Sequence, residues 1–275
     1  MKHILVPTDF SECAYEALVV AEQIARKEKA TIHLVHVYEK PISGISLQFS
    51  IDNAELKKVR EAIVNEFDKL LEDSLLKGIT IQTHVISDRT IIEVFESKKF
   101  GSADLIVMGT HGINGANEWF VGSNARKTVR VAKSPVLVVK KRFKLPTIKN
   151  VVFASNFHEE SKVPFSKIKL FTDVLGAQVH LLKVISPVNF EKTSYTESKM
   201  QEFAKKTGLK NYTKNIYNAL SIEEGVLDFC NKIKANMIAI ETHGRTGLAH
   251  SIMGSTAEDI VSASDIPVLT TRINN

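Results

Sequence analysis

The chain has 275 residues, 44% of them hydrophobic and 24% charged, average values for a soluble globular protein with enough apolar material for a core. Its formal net charge is +5, but the Lys and Arg residues alternate with acids along helix faces and lack aromatic interleaving, which argues against a nucleic-acid site. No run of roughly eighteen apolar residues occurs and the N-terminus opens directly into a strand pattern, so no membrane span or signal peptide is expected and the cytoplasm is the expected location.

Apolar periods of two and of 3.6 alternate from the first residues onward. Residues 2–6 read as a short buried strand. Ser11 is placed to cap a helix that runs to about residue 28, with Ala14, Leu18, Ala21, Ile24 and Ala25 at three- and four-residue spacing. Residues 31–38 form a second strand. Asp52 or Asn53 caps a long amphipathic helix ending before Gly78, with Leu56, Val59, Ile63, Phe67, Leu70 and Leu71 as its expected buried stripe. A third strand over 79–86, a helix over 89–99, a fourth strand over 103–108, a helix over 122–132 and a fifth strand over 135–139 complete the series. Alternating β and α with mostly apolar strands means a parallel sheet covered by helices on both faces, a doubly wound α/β domain.

The series then repeats. Residues 3–10 align with 150–157, and 32–37 with 179–184, at a constant offset of 147 residues. Further on, Thr110-His111-Gly112 meets Thr242-His243-Gly244, and Gly122-Ser123 meets Gly254-Ser255, at an offset of 132. Two tandem domains are therefore expected, over 1–142 and 148–275, each of ordinary domain size, with the basic stretch 140–149 as their junction. Cys13 and Cys230 fall in helical segments of different copies and fit no metal or redox spacing, so both read as reduced thiols in or near the core.

The chemistry concentrates after the fourth strand. Gly109, Gly112, Gly122 and Ser123 form G-x2-G-x9-G-S between an apolar strand and a helix start. Glycines let backbone N–H groups approach an anion, and the first turn of a helix offers unpaired N–H groups to it. In doubly wound sheets the ligand lies beyond the carboxyl ends of the strands at the point where the winding reverses. With the first strand as the switch, Pro7-Thr8-Asp9 and the loop from Gly109 to Gly112 line one crevice. Neither the dinucleotide fingerprint G-x-G-x-x-G after the first strand nor the pattern G-x4-G-K-[ST] is present. Plainer roles exist for each residue: Asp9 as an acid near a helix start, Gly109 and Gly112 as turn glycines with φ > 0, Ser123 as a helix cap, and His111 and His243 as packing residues. His33 and His180 read as half-buried sheet residues, and Trp119 and Phe120 as anchors of a lid or partner surface.

These motifs resemble the universal stress proteins of the UspA type, as a tandem two-domain member. The resemblance rests on Pro7-Thr8-Asp9 closing the first strand, His36-Val37 at the end of the second, and Gly109 to Ser123 after the fourth. It implies a Rossmann-like fold with strand order 3-2-1-4-5 and an ATP site, with or without Mg²⁺. Asp9 and the backbone around Val37 would hold the adenosine, with Pro7, Thr8, Met108 and His111 completing the surroundings. Gly109 and Gly112 would admit ribose and phosphate, and Gly122, Ser123 and Asn124 would bind phosphate. The fifth strand, an edge that needs a partner, would pair the two repeats as an internal pseudo-dimer, and an exposed face would allow two chains to associate.

The second copy departs from the pattern. Asn156 stands where the first has Asp9, Ala154 where it has Pro7, and Glu241 where it has Gly109. A carboxylate roughly 5 Å from a phosphate costs about 3 kcal/mol at an effective dielectric near 20, so tight ATP binding is not expected there. Arg245 and Lys183 are the cations near enough in sequence pattern to offset Glu241, with Lys183 expected to be solvated. The functional expectation is an ATP-binding sensor or regulator working through the first domain. A slow ATP hydrolase and a nucleotide-free interaction scaffold are the alternatives.

Overall fold

The computed structural model describes residues 1–38, 53–87, 89–110, 122–242 and 253–273. In the first half these form β1 (His3–Pro7), α1 (Glu12–Glu28), β2 (Thr31–Tyr38), α2 (Asn53–Leu71), β3 (Thr80–Ser87), α3 (Ile91–Glu96), β4 (Leu105–Gly109), α4 (Ser123–Val131) and β5 (Val136–Val139). The second half repeats the series as β6 (Asn150–Ala154), α5 (Lys162–Leu175), β7 (Gln178–Ile185), α6 (Thr193–Thr207), β8 (Tyr212–Asn218), α7 (Ile222–Ile233), β9 (Met237–Thr242), α8 (Met253–Ala263) and β10 (Val268–Arg272).

All ten strands join one sheet in the order β3-β2-β1-β4-β5-β10-β9-β6-β7-β8. Each half thus has the expected 3-2-1-4-5 order with parallel neighbours. The seam between them is antiparallel, with Leu137 opposite Leu269 and Val138 opposite Val268. Reversal of direction at the seam sends the carboxyl ends of the two halves' strands to opposite edges of the sheet.

Strand side chains alternate between two cores. Ile4 and Val6 face the helices α1, α2, α5 and α6, and Leu5 faces α3, α4, α7 and α8. Both cores run through both halves. Helix α1 starts where expected because the Ser11 hydroxyl accepts a hydrogen bond from the Ala14 N–H at 3.3 Å, and it stops at Lys29, which turns left-handed at φ 54°. Two expectations need correction. Val59 of α2 is 39% exposed and leaves the buried stripe to Ile63 and Phe67. Helix α3 is only six residues long, held by a capping box between Thr90 and Glu93.

The junction is not a loose tether. Gln23 of α1 donates from Nε2 to the Phe143 carbonyl at 2.7 Å and accepts from the Leu145 N–H at 3.0 Å. Arg142 pairs with Glu16 at 2.9 Å. Leu145 is 5% exposed and joins the core, as does Ile148. Replacing Leu145 with Ala removes a buried side chain at this junction and is expected to cost about 2–4 kcal/mol, measurable as a lower urea midpoint at unchanged slope.

Histidines form a chain across three strands that sequence spacing did not reveal. His3 Nδ1 lies 3.0 Å from His33 Nε2, His33 Nδ1 lies 3.1 Å from His84 Nε2, and the Lys99 ammonium lies 3.3 Å from His84 Nδ1. Phe100 packs edge-on against the last two rings, and Asp104 flanks His3. Burial, then the Lys99 charge and His33, push His84 down to about 4. The unfolded chain takes up this proton near pH 6.5, so it binds more protons than the folded chain in the interval between. Stability present at neutral pH is therefore lost as pH falls from about 6.5 toward 4. Discounted for the partial exposure of His84, the expected loss is about 1–2 kcal/mol. Thermal unfolding followed from pH 7.5 down to pH 4.5 should show it, with a shallower slope for His84→Asn; equal slopes would exclude His84 as the responsible group.

Candidate functional site at the switch strands

The crevice is built where β1 ends between β2 and β4. Ile4 and Leu5 pair with Leu105 and Ile106 of β4, so the register carried forward sets Thr8 beside Gly109. The chain turns there through Phe10, a non-glycine residue at φ 63°, a conformation that costs an L-residue about 1–2 kcal/mol. Local bonds hold the turn. The Thr8 hydroxyl accepts the Phe10 N–H at 3.0 Å, the Thr8 carbonyl lies 2.8 Å from His36 Nδ1, and the Phe10 ring stacks on His36 at 4.8 Å. An Asp9 carboxylate oxygen accepts the Ser11 N–H at 3.1 Å, which ties the half-buried acid to the start of α1. Phe157 repeats the left-handed turn in the second half at φ 56°, with the Ser155 hydroxyl accepting its N–H at 2.9 Å. The aligned Phe10 and Phe157 were the available sequence signal for this device.

Gly109 has a structural reason to be glycine. A Cβ there would stand 2.7 Å from the Cys13 carbonyl oxygen and 2.8 Å from its sulfur. The close approach lets Cys13 bind the end of β4, where its sulfur accepts the Thr110 N–H at 3.2 Å. Gly109 is therefore a packing glycine for α1, and it is not among the glycines with positive φ. The side chain of Met108 is buried in the core under α3 and α4. Val37 lies at the end of β2, two residues beyond the Val35 that pairs with Pro7.

Helix α4 begins beside the same point. The Gly122 N–H donates to the Thr110 carbonyl at 2.5 Å, and Gly122 caps the helix at φ −56°, ψ 148° without a side-chain bond. Ala125 and Arg126 bond back to the Gly122 carbonyl. The backbone N–H groups of Ser123 and Asn124 have no acceptor among the described residues. The first turn of α4 carries no acid. His111, Gly112, Trp119 and Phe120 lie outside the described residues. Of the expected site residues, Pro7, Thr8, Asp9, Val37, Met108, Gly109, Gly122, Ser123 and Asn124 thus cluster at one edge of the sheet.

The corresponding place in the second half is filled from within. Glu241 is 2% exposed and accepts a hydrogen bond from the Ser155 hydroxyl at 2.9 Å. Lys183, at the position of His36, is 4% exposed and donates to the Asn156 side-chain oxygen. This overturns the expectation of a solvated Lys183. Burial pulls its pKa down; Glu191, which pairs with Lys199 at 3.2 Å, opposes that shift.

The family model for universal stress proteins matches residues 1–140 and again 147–272. The chain belongs to the universal stress protein family. A universal stress protein of Methanocaldococcus jannaschii is 34% identical over 143 residues, spanning 51% of this chain and 82% of that relative. One of Synechocystis is 21% identical over 292 residues, covering 99% of this chain and all of its own length. The crystal structure of a universal stress protein from Archaeoglobus fulgidus superposes with a TM-score of 0.72 at 21% identity, over 99% of this chain and 97% of that one. The tandem universal stress protein fold is thereby shown. No helix among the described residues is long and apolar enough to cross a membrane.

Replacing Gly109 with Ala is expected to lower stability by about 1–3 kcal/mol through overpacking. Cys13→Ala should not rescue it, because the backbone carbonyl that the new Cβ would meet remains. Thermal melts of the single and double variants without nucleotide check this; a silent Gly109→Ala would refute the packing role.

Proposed function

We propose that this universal stress protein binds an adenine nucleotide, ATP with or without Mg²⁺, in its first half and acts as a stress-response sensor or regulator. The observation that supports the reading is the pair of N–H groups on Ser123 and Asn124 that have no acceptor among the described residues, at a helix start that carries no acid and is tied to the end of β4 beside β1. Unpaired N–H groups at a helix start stabilise a phosphate through short hydrogen bonds and the helix dipole. In this reading Asp9 and the Val37 backbone hold the nucleoside, with Pro7, Thr8, Met108, Gly109, His111 and Gly112 around it. The domains are taken as 1–142 and 148–275, joined as an internal pseudo-dimer through β5 and β10. The second domain serves as a structural or regulatory partner, since Glu241 and the Lys183–Asn156 pair occupy its equivalent crevice.

The site offers its own test. Ser123 is the first residue of α4, where proline fits the helix, and Gly122 already has the extended ψ of 148° that a following proline favours. Ser123→Pro therefore removes one N–H while keeping the helix, and Ser123→Ala removes the hydroxyl alone. Loss of a hydrogen bond to a charged group is expected to weaken ATP binding by about 10- to 100-fold in Ser123→Pro, with a similar loss in Asp9→Ala. Calorimetry should read one ATP per chain in the unaltered protein. No binding heat with Mg²⁺ present, and no nucleotide released on denaturing the purified protein, would overturn the reading in favour of a scaffold. Phosphate release measured alongside separates sensing from slow hydrolysis.

A further inference from the structure

The two halves differ in how their central helices are covered. At the repeat offset of 147, Gln23, Ile24 and Lys27 of α1 correspond to Leu170, Phe171 and Val174 of α5. On α1 this stretch is covered by the chain's own junction, which Gln23 grips at Phe143 and Leu145. The junction passes between the halves only once; the matching stretch of α5 meets the Lys27 ammonium instead, which donates to the Val174 carbonyl, and Leu170 is left exposed. Beside it lies a cleft of about 370 Å³, within the range of small-molecule sites, which favour domain interfaces. Leu105, Pro135, Phe171 and Leu269, drawn from both halves, lie beneath it and are themselves buried, so the apolar surface it presents comes from the half-buried Ala103 and Val174 and from Leu170, 64% exposed.

Charge at the cleft is unbalanced. Glu28 pairs with the Met1 amino group at 3.1 Å, and Asp104 accepts the backbone N–H groups of Lys2 and His3 at 2.6 and 2.9 Å. The ammonium groups of Lys133 and Lys167, both lining the cleft, have no carboxylate partner among the described residues. Lys167 only donates to the Lys133 carbonyl, at 3.1 Å. With Met1 and Glu28 paired, the two lysines face the single charge of Asp104, which leaves the lining one positive charge in excess; beside apolar side chains this suits a ligand with a hydrocarbon or aromatic body and one anionic head.

We propose that this cleft between the halves is a binding site for a small amphipathic carboxylate, its apolar body against Ala103, Leu170 and Val174 and its head between Lys133 and Lys167. The cleft lies at the amino ends of β4 and β5, the opposite edge of the sheet from Asp9 and Ser123, so it is separate from the crevice assigned to ATP.

Decanoate is the probe, titrated calorimetrically into the full-length protein with and without saturating ATP. Saturable one-to-one binding is expected, with a sub-millimolar Kd that ATP leaves unchanged. Lys133→Glu combined with Lys167→Glu should weaken decanoate at least tenfold and strengthen decylamine binding. Leu170→Glu, on an exposed position that folding tolerates, should also weaken decanoate, and a thermal melt of each variant confirms the fold. Absence of saturable binding, competition by ATP, or an affinity untouched by the double charge reversal would each overturn the proposal.

Discussion

The antiparallel pairing of β5 with β10 is the contact on which the rest of the molecule depends. Each half alone would end in an edge strand with unpaired N–H and C=O groups. Pairing Leu137 with Leu269 and Val138 with Val268 satisfies those groups and merges two five-stranded sheets into one. Because the sheet is continuous, so are the helix layers, and both apolar cores contain residues of both halves. The same reversal sends the two strand-end crevices to opposite edges, so they can diverge chemically without touching one another.

They have diverged around a conserved turn. Both halves keep a phenylalanine in the left-handed region and a hydroxyl that accepts its N–H, Thr8 in one and Ser155 in the other. That turn redirects the chain from the first strand into the first helix and is needed whether or not a ligand binds. Around it, the second half sets a buried carboxylate, Glu241, and a buried ammonium, Lys183, where the first half has Gly109 and His36. A buried carboxylate such as Glu241 and a buried ammonium such as Lys183 are costly unless hydrogen-bonded, and each has a bonded partner in Ser155 and Asn156. Removing one partner would strand a charge, which makes the second crevice harder to reopen than a single-glycine replacement suggests.

The junction shows the same economy of apolar surface. Residues 140–149 look like a basic linker in sequence, yet Leu145 and Ile148 join the core and Arg142 bonds Glu16. A single junction cannot cover both members of a pseudo-symmetric pair of helices. The other, α5, meets Lys27 at the Val174 carbonyl and carries the exposed Leu170 beside the cleft between the halves.

The sequence by itself determined the α/β class and the tandem repeat, and its motifs carried the family resemblance that implies the strand order. Those follow from apolar periodicity and from motifs whose residues are neighbours in the chain: the cap at Ser11, the strand over residues 31–38 and the glycines around Ser123. Only the tertiary structure decided what depends on packing between distant segments. Gly109 is glycine because the Cys13 backbone presses against it, from ninety-six positions away. Lys183 is buried where its long, charged side chain suggested water, because Asn156 and Glu191 compensate it. His3, His33 and His84 become one chain only when parallel pairing sets three strands in register. Periodicity reports which face of an element is apolar, but it carries no record of which distant side chain will meet that face.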